Sequence, residues 1–257
     1  MFPELTIKEA QEKLWGEIFA SCRINTPDPV VAWSNHVTNL KKYREYLNNQ
    51  RFSTLHYTAP GTDLTIGLPD NHFWEGAEAE FKNGITGIPN LPTEEVFTTP
   101  HKDKVNGTVR STRPLNYSGI MIEDFSLTFE NGRAVNISAK KGEETLRKLI
   151  ETDENSCRLG EVALVPNSSP IGQRGILFYN TLFDENASCH IALGNSYRES
   201  IIGGEDMTDE EFALQGGNKS LVHTDFMIGS SDLNIDGIKA DGSLTPLLRS
   251  GEWAITV

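Results

Sequence analysis

The chain has 257 residues, and 36 acidic residues against 23 basic ones give it a formal net charge of −13 and a pI near 4.9. This acidity argues against a nucleic-acid-binding protein or a protein held on anionic membranes, because both need a basic surface. It is compatible with cationic ligands, including divalent metal ions. The length predicts one to two domains and a core that needs no covalent staples.

The cysteine content indicates a reducing compartment, and we expect a cytoplasmic protein. Cys22, Cys157 and Cys189 are odd in number and match no CxxC site, so the sequence predicts no disulfide framework. The opening MFPELTIKEA lacks the basic and apolar regions of a signal peptide. No run of about 18 apolar residues predicts a membrane-spanning helix.

The start of the chain, about residues 6–50, is predicted to be helical. Apolar residues recur at helical spacing after Thr6. Asp28 can cap a second helix that begins at Pro29 and runs to about Leu47. These two helices predict a helical hairpin that covers a sheet.

Beyond about Phe52 the apolar period changes from helical to two, which is typical of strands. The Asn131-Gly132 pair between two alternating segments predicts a β-hairpin. Further elements are predicted as strands at 161–165 and 176–181, helices at 143–151, from 184 to 194 and from 207 to 216, and turns at Asp236-Gly237 and Asp241-Gly242. Together they predict an α+β fold with a large, mainly antiparallel, curved sheet and flanking helices.

His223 and Asp225 form the first candidate site. If residues 220–227 form a strand, alternation places these two side chains together on one face. An imidazole and a carboxylate on one strand face can bind a single metal ion. An ordinary polar pair on a solvated face explains the pattern equally well.

His190 and Glu161 lie in apolar surroundings. His190 falls on the predicted short helix, where a packed core histidine is the simpler interpretation. Glu161 begins a strand whose remaining residues are apolar. A carboxylate buried there is costly unless it is paired or bound to a metal ion, and exposure at the sheet edge is the alternative.

Glu94 and Glu95 follow two prolines, Pro89 and Pro92. On a strand these two acids face opposite sides, so only one can enter a given site. A capping box or a solvated acid pair is the alternative. The combined set of three acids and two histidines suits two ions of Zn²⁺, Mn²⁺ or Co²⁺, with one carboxylate bridging. Two ions about 3.5–4 Å apart can polarise a carbonyl and supply a hydroxide at neutral pH.

No other catalytic motif offers an alternative to this set of acids and histidines. The sequence contains no GxSxG elbow, Walker loop, HExxH pair or dinucleotide fingerprint.

Four segments in order resemble the thermophilic-type metalloaminopeptidases, the group of aminopeptidase T, aminopeptidase S and PepS. They are residues 90–100 (NLPTEEVFTTP), the strand that begins Gly160-Glu161, residues 190–197 and residues 222–225. The resemblance covers nearly the whole chain. It implies a two-metal exopeptidase that removes N-terminal residues from peptides by means of a metal-bound hydroxide.

The resemblance also implies roles for individual residues. It implies that the hydroxyl of Tyr197 stabilises the tetrahedral intermediate. It makes Glu94 a weaker candidate for the general base. The choice of Glu95 over Glu94 as a ligand rests on the family's spacing. Glu161 is the expected bridging carboxylate within the implied ligand set of Glu95, Glu161, His190, His223 and Asp225.

Family members form homodimers and carry an amino-terminal α/β domain before this region. We therefore expect residues 1–257 to be a single metal-bearing catalytic domain without that α/β domain. The expected partners are two divalent ions and peptides with a free N-terminus. The alternative is a catalytically incompetent metal-binding or interaction domain of such an enzyme.

Overall fold

The computed structural model, which describes residues 1–257, contains five α-helices and three antiparallel sheets of nine, five and two strands, the smallest formed by β4 and β5. The helices are α1 (Ile7–Ser21), α2 (Pro29–Gln50), α3 (Glu143–Ile150), α4 (Thr181–Glu185) and α5 (Asp209–Leu214). The strands are β1 (Thr54–Ala59), β2 (Thr62–Gly67), β3 (Glu75–Gly76), β4 (Ala79–Glu80), β5 (Thr86–Gly87), β6 (Val96–Thr98), β7 (Val105–Arg110), β8 (Leu115–Tyr117), β9 (Ile120–Glu130), β10 (Arg133–Lys141), β11 (Leu159–Leu164), β12 (His190–Gly194), β13 (His223–Met227), β14 (Asn234–Ile238), β15 (Leu244–Arg249) and β16 (Glu252–Trp253). The α+β prediction is confirmed.

The two amino-terminal helices begin where the sequence predicts. Thr6 caps α1 in a capping box with Glu9, and Asp28 caps α2 by accepting a 3.0 Å hydrogen bond from the Val31 amide. Apolar residues of α2 enter the main core, whereas Leu14 and Ile18 of α1 pack on a separate small cluster around residues 171–187. The two helices therefore cover different parts of the molecule.

The larger sheet has nine strands in the order β10-β9-β7-β2-β1-β14-β15-β16, with β8 paired to β9. Asn131 and Gly132 form the turn of the predicted β9–β10 hairpin. The second sheet has the order β13-β12-β11-β6-β3. One cluster of 35 buried residues joins the two sheets, and the rings of Phe125 and Phe226 meet there at 5.2 Å. One face of the second sheet is thus fixed against the core, and its other face is free for chemistry.

The helix predicted from 184 to 194 is wrong. The structure ends α4 at Glu185, and His190–Gly194 form β12, an interior strand of the second sheet. All five residues of β12 are buried between two neighbouring strands. A short apolar run of this kind does not distinguish a buried strand from a helix by its period.

The strand predicted at 176–181 is also wrong. The Asp184 carboxylate accepts hydrogen bonds from the amides of Phe178 and Asn180 at 2.7 and 3.1 Å, which satisfies backbone groups that a strand would pair. The turn predicted at Asp236-Gly237 lies inside β14. Gly237 is needed there because an added Cβ would lie 2.8 Å from the Phe52 ring.

All three cysteines are free and buried. No helix combines the length and the apolar character that crossing a bilayer requires.

Buried His72 predicts a pH dependence of stability. Burial lowers the pKa of His72 to about 4, and its Nδ1 lies 2.8 Å from the Pro69 carbonyl oxygen. The unfolded chain binds a proton at this residue below about pH 6.5, whereas the folded chain does not until about pH 4. Stability is therefore lost as the pH falls through this window.

Urea unfolding of the wild type and of His72→Asn at pH 7.5 and pH 5 measures this effect. The asparagine keeps a donor for Pro69 and removes the titration. Between the two pH values the wild type should lose about 2 kcal/mol more than the variant. Equal losses in the two proteins would refute the assignment.

Candidate metal centre

The strand register brings acids and histidines to the free face of the second sheet. Glu161 of β11 is paired with Ala192 of β12, which is paired with Asp225 of β13. Directly paired residues of an antiparallel sheet face the same side, and His223 joins them because it lies two positions before Asp225. The small residues Ala192 and Gly194 between them leave room above the sheet.

The remaining two candidates reach the same face. His190 is paired with Ala163, which is paired with Phe97. Glu95 lies two positions before Phe97 and shares its side. All five predicted ligands therefore converge, although four different segments of the chain carry them.

A β-bulge at Gly160 aims Glu161 into the site. The register shifts between Leu159 and Glu161, and such bulges re-aim side chains next to functional sites. An added Cβ at Gly160 would lie 2.2 Å from the Asn195 carbonyl oxygen, so only glycine fits. The same carbonyl oxygen lies 2.7 Å from Nδ1 of His223. The close approach of Gly160 to Asn195 therefore affects the positions of two candidate ligands, Glu161 and His223.

Glu161 is shared between two groups of donor atoms. One group is Glu95, Glu161 and His190, the other is Glu161, His223 and Asp225, and the atoms within each lie within 4.8 Å of one another. Oε1 of Glu161 is 3.5 Å from Nε2 of His190, and its Oε2 is 3.6 Å from Nε2 of His223. One oxygen of the Glu161 carboxylate therefore faces each group of donor atoms.

A contact between Nδ1 and a backbone carbonyl oxygen orients each of the two imidazole rings. Nδ1 of His190 lies 3.1 Å from the Ser188 carbonyl oxygen, and Nδ1 of His223 is held by Asn195. A ring that donates from Nδ1 presents the Nε2 lone pair, and metal-binding histidines are commonly fixed in this way.

Two buried atoms of the centre lack hydrogen bonds. Nε2 of His190 lies 2.9 Å from Oε2 of Glu95, but neither atom has a hydrogen-bond partner of acceptable geometry. Buried polar atoms are rarely left in this way. A cation between them would satisfy both atoms, and carboxylates with imidazoles suit Zn²⁺, Mn²⁺ or Co²⁺. The residues present therefore fit a metal centre.

The pKa values of Glu161 and His223 are shifted because several carboxylates lie close together at this buried site. Burial raises the pKa of Glu161 to about 7, and the charges of Asp225 and Glu95 add to the effect while the nearby His190 imidazole opposes it. Burial works to lower the pKa of His223, but the Asp225 and Glu161 carboxylates raise it to about 9. Binding of a metal ion to these groups would therefore displace protons.

Glu185 is a site residue that the sequence analysis missed. Burial and the carboxylates of Asp225 and Glu95 raise its pKa to about 9, and its carboxyl group lies close to that of Asp225. The incorrect helix from 184 to 194 hid this contact. The signal available in the sequence was an acid five positions before His190, in the polar run Asp184-Glu185-Asn186.

The centre lies at the bottom of an acidic cavity of about 730 Å³. Arg44 is its only lysine or arginine, against nine acidic lining residues: Glu75, Glu78, Glu80, Glu95, Glu161, Glu185, Glu199, Glu205 and Asp225. Tyr197 also lines the cavity, with its ring centroid 4.8 Å from that of His223. Burial and then the Glu161 charge raise the pKa of Tyr197, so its hydroxyl keeps its proton.

Comparison with known proteins decides the family. The sequence matches the thermophilic metalloprotease (M29) family over residues 1–253. The chain belongs to the M29 metalloproteases. The resemblance drawn from the four sequence segments is confirmed.

The M29 chain is similar to proteins named as aminopeptidases. It is 55% identical to aminopeptidase AmpS of Bacillus subtilis, with 99% of this chain and 62% of that protein covered, and 49% identical to aminopeptidase T of Thermus aquaticus, with 99% and 62% covered. Wild-type AmpT from Thermus thermophilus superimposes with a TM-score of 0.92 at 48% identity, over 99% of this chain and 61% of that one. The chain thus spans about 62% of the length of the curated relatives it matches.

One further solved structure shares the fold alone. The 2,5-dihydroxypyridine dioxygenase of Pseudomonas putida KT2440 has a TM-score of 0.59 at 14% identity, over 89% of this chain and 63% of that one. This similarity of fold does not indicate that the M29 chain shares the reaction of that protein.

Glu94 of the M29 chain does not join the ligand groups. Its carboxylate is bound by the Arg23 guanidinium, and its Oε2 lies 2.8 Å from Nη2 of Arg23. The geometry gives no support to the general-base role predicted for Glu94, because both of its oxygens are engaged.

Because Glu161 lies close to the carboxylates of Glu95 and Asp225, we expect Glu161→Gln to stabilise the metal-free chain. The pKa of Glu161 rises from 4.5 in a free side chain to about 7 in the fold, so stability is lost as the pH rises between these values. At pH 8 in EDTA the free energy of unfolding of the variant should be about 1–3 kcal/mol larger than that of the wild type. It should also lose the stabilisation that Zn²⁺ gives the wild type.

Thermal and urea unfolding with EDTA or Zn²⁺ test both parts. Glu80→Gln, at an exposed acid of the cavity rim, is the matched control and should change neither quantity. A Glu161→Gln variant that Zn²⁺ stabilises as strongly as the wild type would exclude Glu161 as a ligand.

Proposed function

We propose that this protein is a metal-dependent aminopeptidase that removes N-terminal residues from peptides at a two-metal centre, with residues 1–257 as its catalytic domain. The single observation that carries the proposal is the Glu161 carboxylate shared between the two groups of donor atoms. Membership of a metalloprotease family and relatives named as aminopeptidases support it.

Each donor group would hold one ion. Glu95, Glu161 and His190 would bind the first, and Glu161, His223 and Asp225 the second, with Glu185 next to the latter. When bound, two such ions polarise a carbonyl and lower the pKa of a water molecule. The protein's own part is to fix the ligands, exclude competing donors and position the peptide.

Tyr197 is suited to act on the carbonyl oxygen of the scissile bond. It stands at the cavity wall against the His223 ring, and its edge-on contact with Phe97 limits its rotation. Because its hydroxyl keeps its proton, it can donate a hydrogen bond to the negative charge that develops on that oxygen.

The acidic wall of the cavity is suited to the free amino group of a peptide. Glu75, Glu199 and Glu205 lie on this wall, and Arg44, 4.0 Å from Glu75, offsets little of their combined charge. Negative potential in a concave site attracts and orients a cationic group. It also disfavours peptides whose amino group is blocked.

A homodimer and a cytoplasmic location are further parts of the proposal. They rest on the family resemblance and on cysteines that are all unpaired and buried. Light scattering of the purified chain measures its oligomeric state directly.

Peptide hydrolysis tests the proposed activity. With Zn²⁺, Co²⁺ or Mn²⁺ the protein should release the first residue of a peptide with a free N-terminus, and it should leave the N-acetylated peptide intact. Glu161→Ala should abolish turnover, and Glu80→Gln should retain it. Cleavage that EDTA or Glu161→Ala leaves unchanged would refute the proposal. Two bound ions without turnover would instead favour the catalytically incompetent metal-binding domain.

Tyr197→Phe isolates the proposed hydroxyl. The ring contacts with Phe97 and His223 remain, and only the donor is lost. Removal of one such donor typically lowers kcat by about 10²-fold with little change in KM. Steady-state kinetics with the free peptide measure this ratio, and a kcat equal to that of the wild type would exclude the role.

A further inference from the structure

The segment that carries Glu95 is held from two sides by buried polar contacts that the proposed chemistry does not use. Glu94, its neighbour, is only 4% exposed and faces away from the cavity toward the amino-terminal helices. Arg23 binds both of its carboxylate oxygens. Such fork-like pairing fixes orientation as well as distance.

Arg23 and His36 are themselves fixed. The Arg23 guanidinium lies over the Trp33 ring at 5.1 Å, and its Nη2 is 3.2 Å from Nδ1 of His36. Because Arg23 can only donate, His36 accepts at Nδ1 and donates from Nε2 to the Thr93 carbonyl oxygen at 2.7 Å. Thr93, the residue before Glu94, is thus also bound to this group, through His36.

The second side is Asn186, which is fully buried. Its Oδ1 accepts a 2.7 Å hydrogen bond from the Glu94 amide, and its Nδ2 donates to the Leu182 carbonyl oxygen at 2.9 Å. Asn186 directly follows Glu185, the acid beside Asp225. The backbone at Glu94 is therefore tied to the part of the chain that borders the second donor group.

We propose that Arg23, His36, Asn186 and Glu94 form a clamp that positions Glu95 as a ligand of the first ion, so that Glu94 is a positioning residue. The inference rests on the proposed two-metal function. Glu95 precedes β6 and has no strand partner of its own, whereas Glu161, His190, His223 and Asp225 lie within paired strands. The clamp supplies the rigidity that pairing gives the other four ligands.

Metal binding to the full chain tests this role without recourse to turnover. Glu94→Gln keeps the shape and removes the charge, and Arg23→Lys keeps the charge and removes the fork. Glu95→Gln, which alters the ligand itself, identifies the signal of the first ion. Asp236→Asn breaks an arginine pair with Arg249 on the other sheet and is the matched control.

Chelator competition with Zn²⁺ should show about tenfold weaker binding of the first ion in both clamp variants and unchanged binding of the second. The visible spectrum of bound Co²⁺ should change for the first ion only. The control should match the wild type in both measurements. A merely structural role would lower the unfolding temperature in EDTA without separating the two affinities.

Three results would overturn the clamp. Wild-type affinities and spectra in both clamp variants would do so, and so would an equal loss at both ions. If the wild type binds two ions in either case, the proposed function stands and only the clamp fails. A wild type that binds fewer than two ions would overturn both.

Discussion

The buried carboxylate of Glu161 is the constraint on which the rest of the structure depends. A charged group in this position is costly, and here two imidazoles and two further acids surround it. The cost shows in the raised pKa of Glu161 and in the buried atoms of Glu95 and His190 that lack partners. Such an arrangement persists only if the surrounding fold is stable enough to impose it.

The architecture divides stability and chemistry between opposite faces of one sheet. Side chains such as Val162, Ile191 and Phe226 point from the second sheet into the shared core. The residues next to them in sequence point to the cavity. Because strand alternation makes the division, core residues that alternate with the candidate ligands on β11, β12 and β13 fix the backbone of these strands. A register slip of one residue would exchange the two faces, so core burial also enforces the geometry of the centre.

The sequence was most informative where the pattern is local. Thr6 and Asp28 gave the helix starts, Asn131-Gly132 gave a hairpin, and alternation placed His223 beside Asp225. It failed at 184–194, where apolar residues are buried on both faces and no period of two exists. That error also concealed Glu185, whose contact with Asp225 depends on where α4 ends.

The convergence of the candidate ligands could not be derived from spacing, since Glu161, His190 and Asp225 are joined only by non-local strand pairing and Glu95 lies just before β6. Residue types suggested a two-metal set, and the family resemblance chose its members. The choice between Glu94 and Glu95 shows what was missing. Strand alternation predicted that only one of them could enter the site, but which one depends on Arg23, more than seventy positions away, which binds Glu94.

Fold and function separate clearly in this molecule. A protein named as a dioxygenase shares the fold at 14% identity, so the fold does not by itself specify a chemistry. The chemistry of this chain depends on the side chains on the free face of the second sheet and in the cavity walls above it. Here the face carries a shared carboxylate between two donor groups, and the walls are acidic around one tyrosine. The proposed substrate, with its cationic amino-terminus, and the two proposed divalent ions would each complement the charge of such a cavity. Each would relieve the electrostatic repulsion that the acids create in its absence, so the proposed substrate attraction and the proposed metal binding would have the same physical origin.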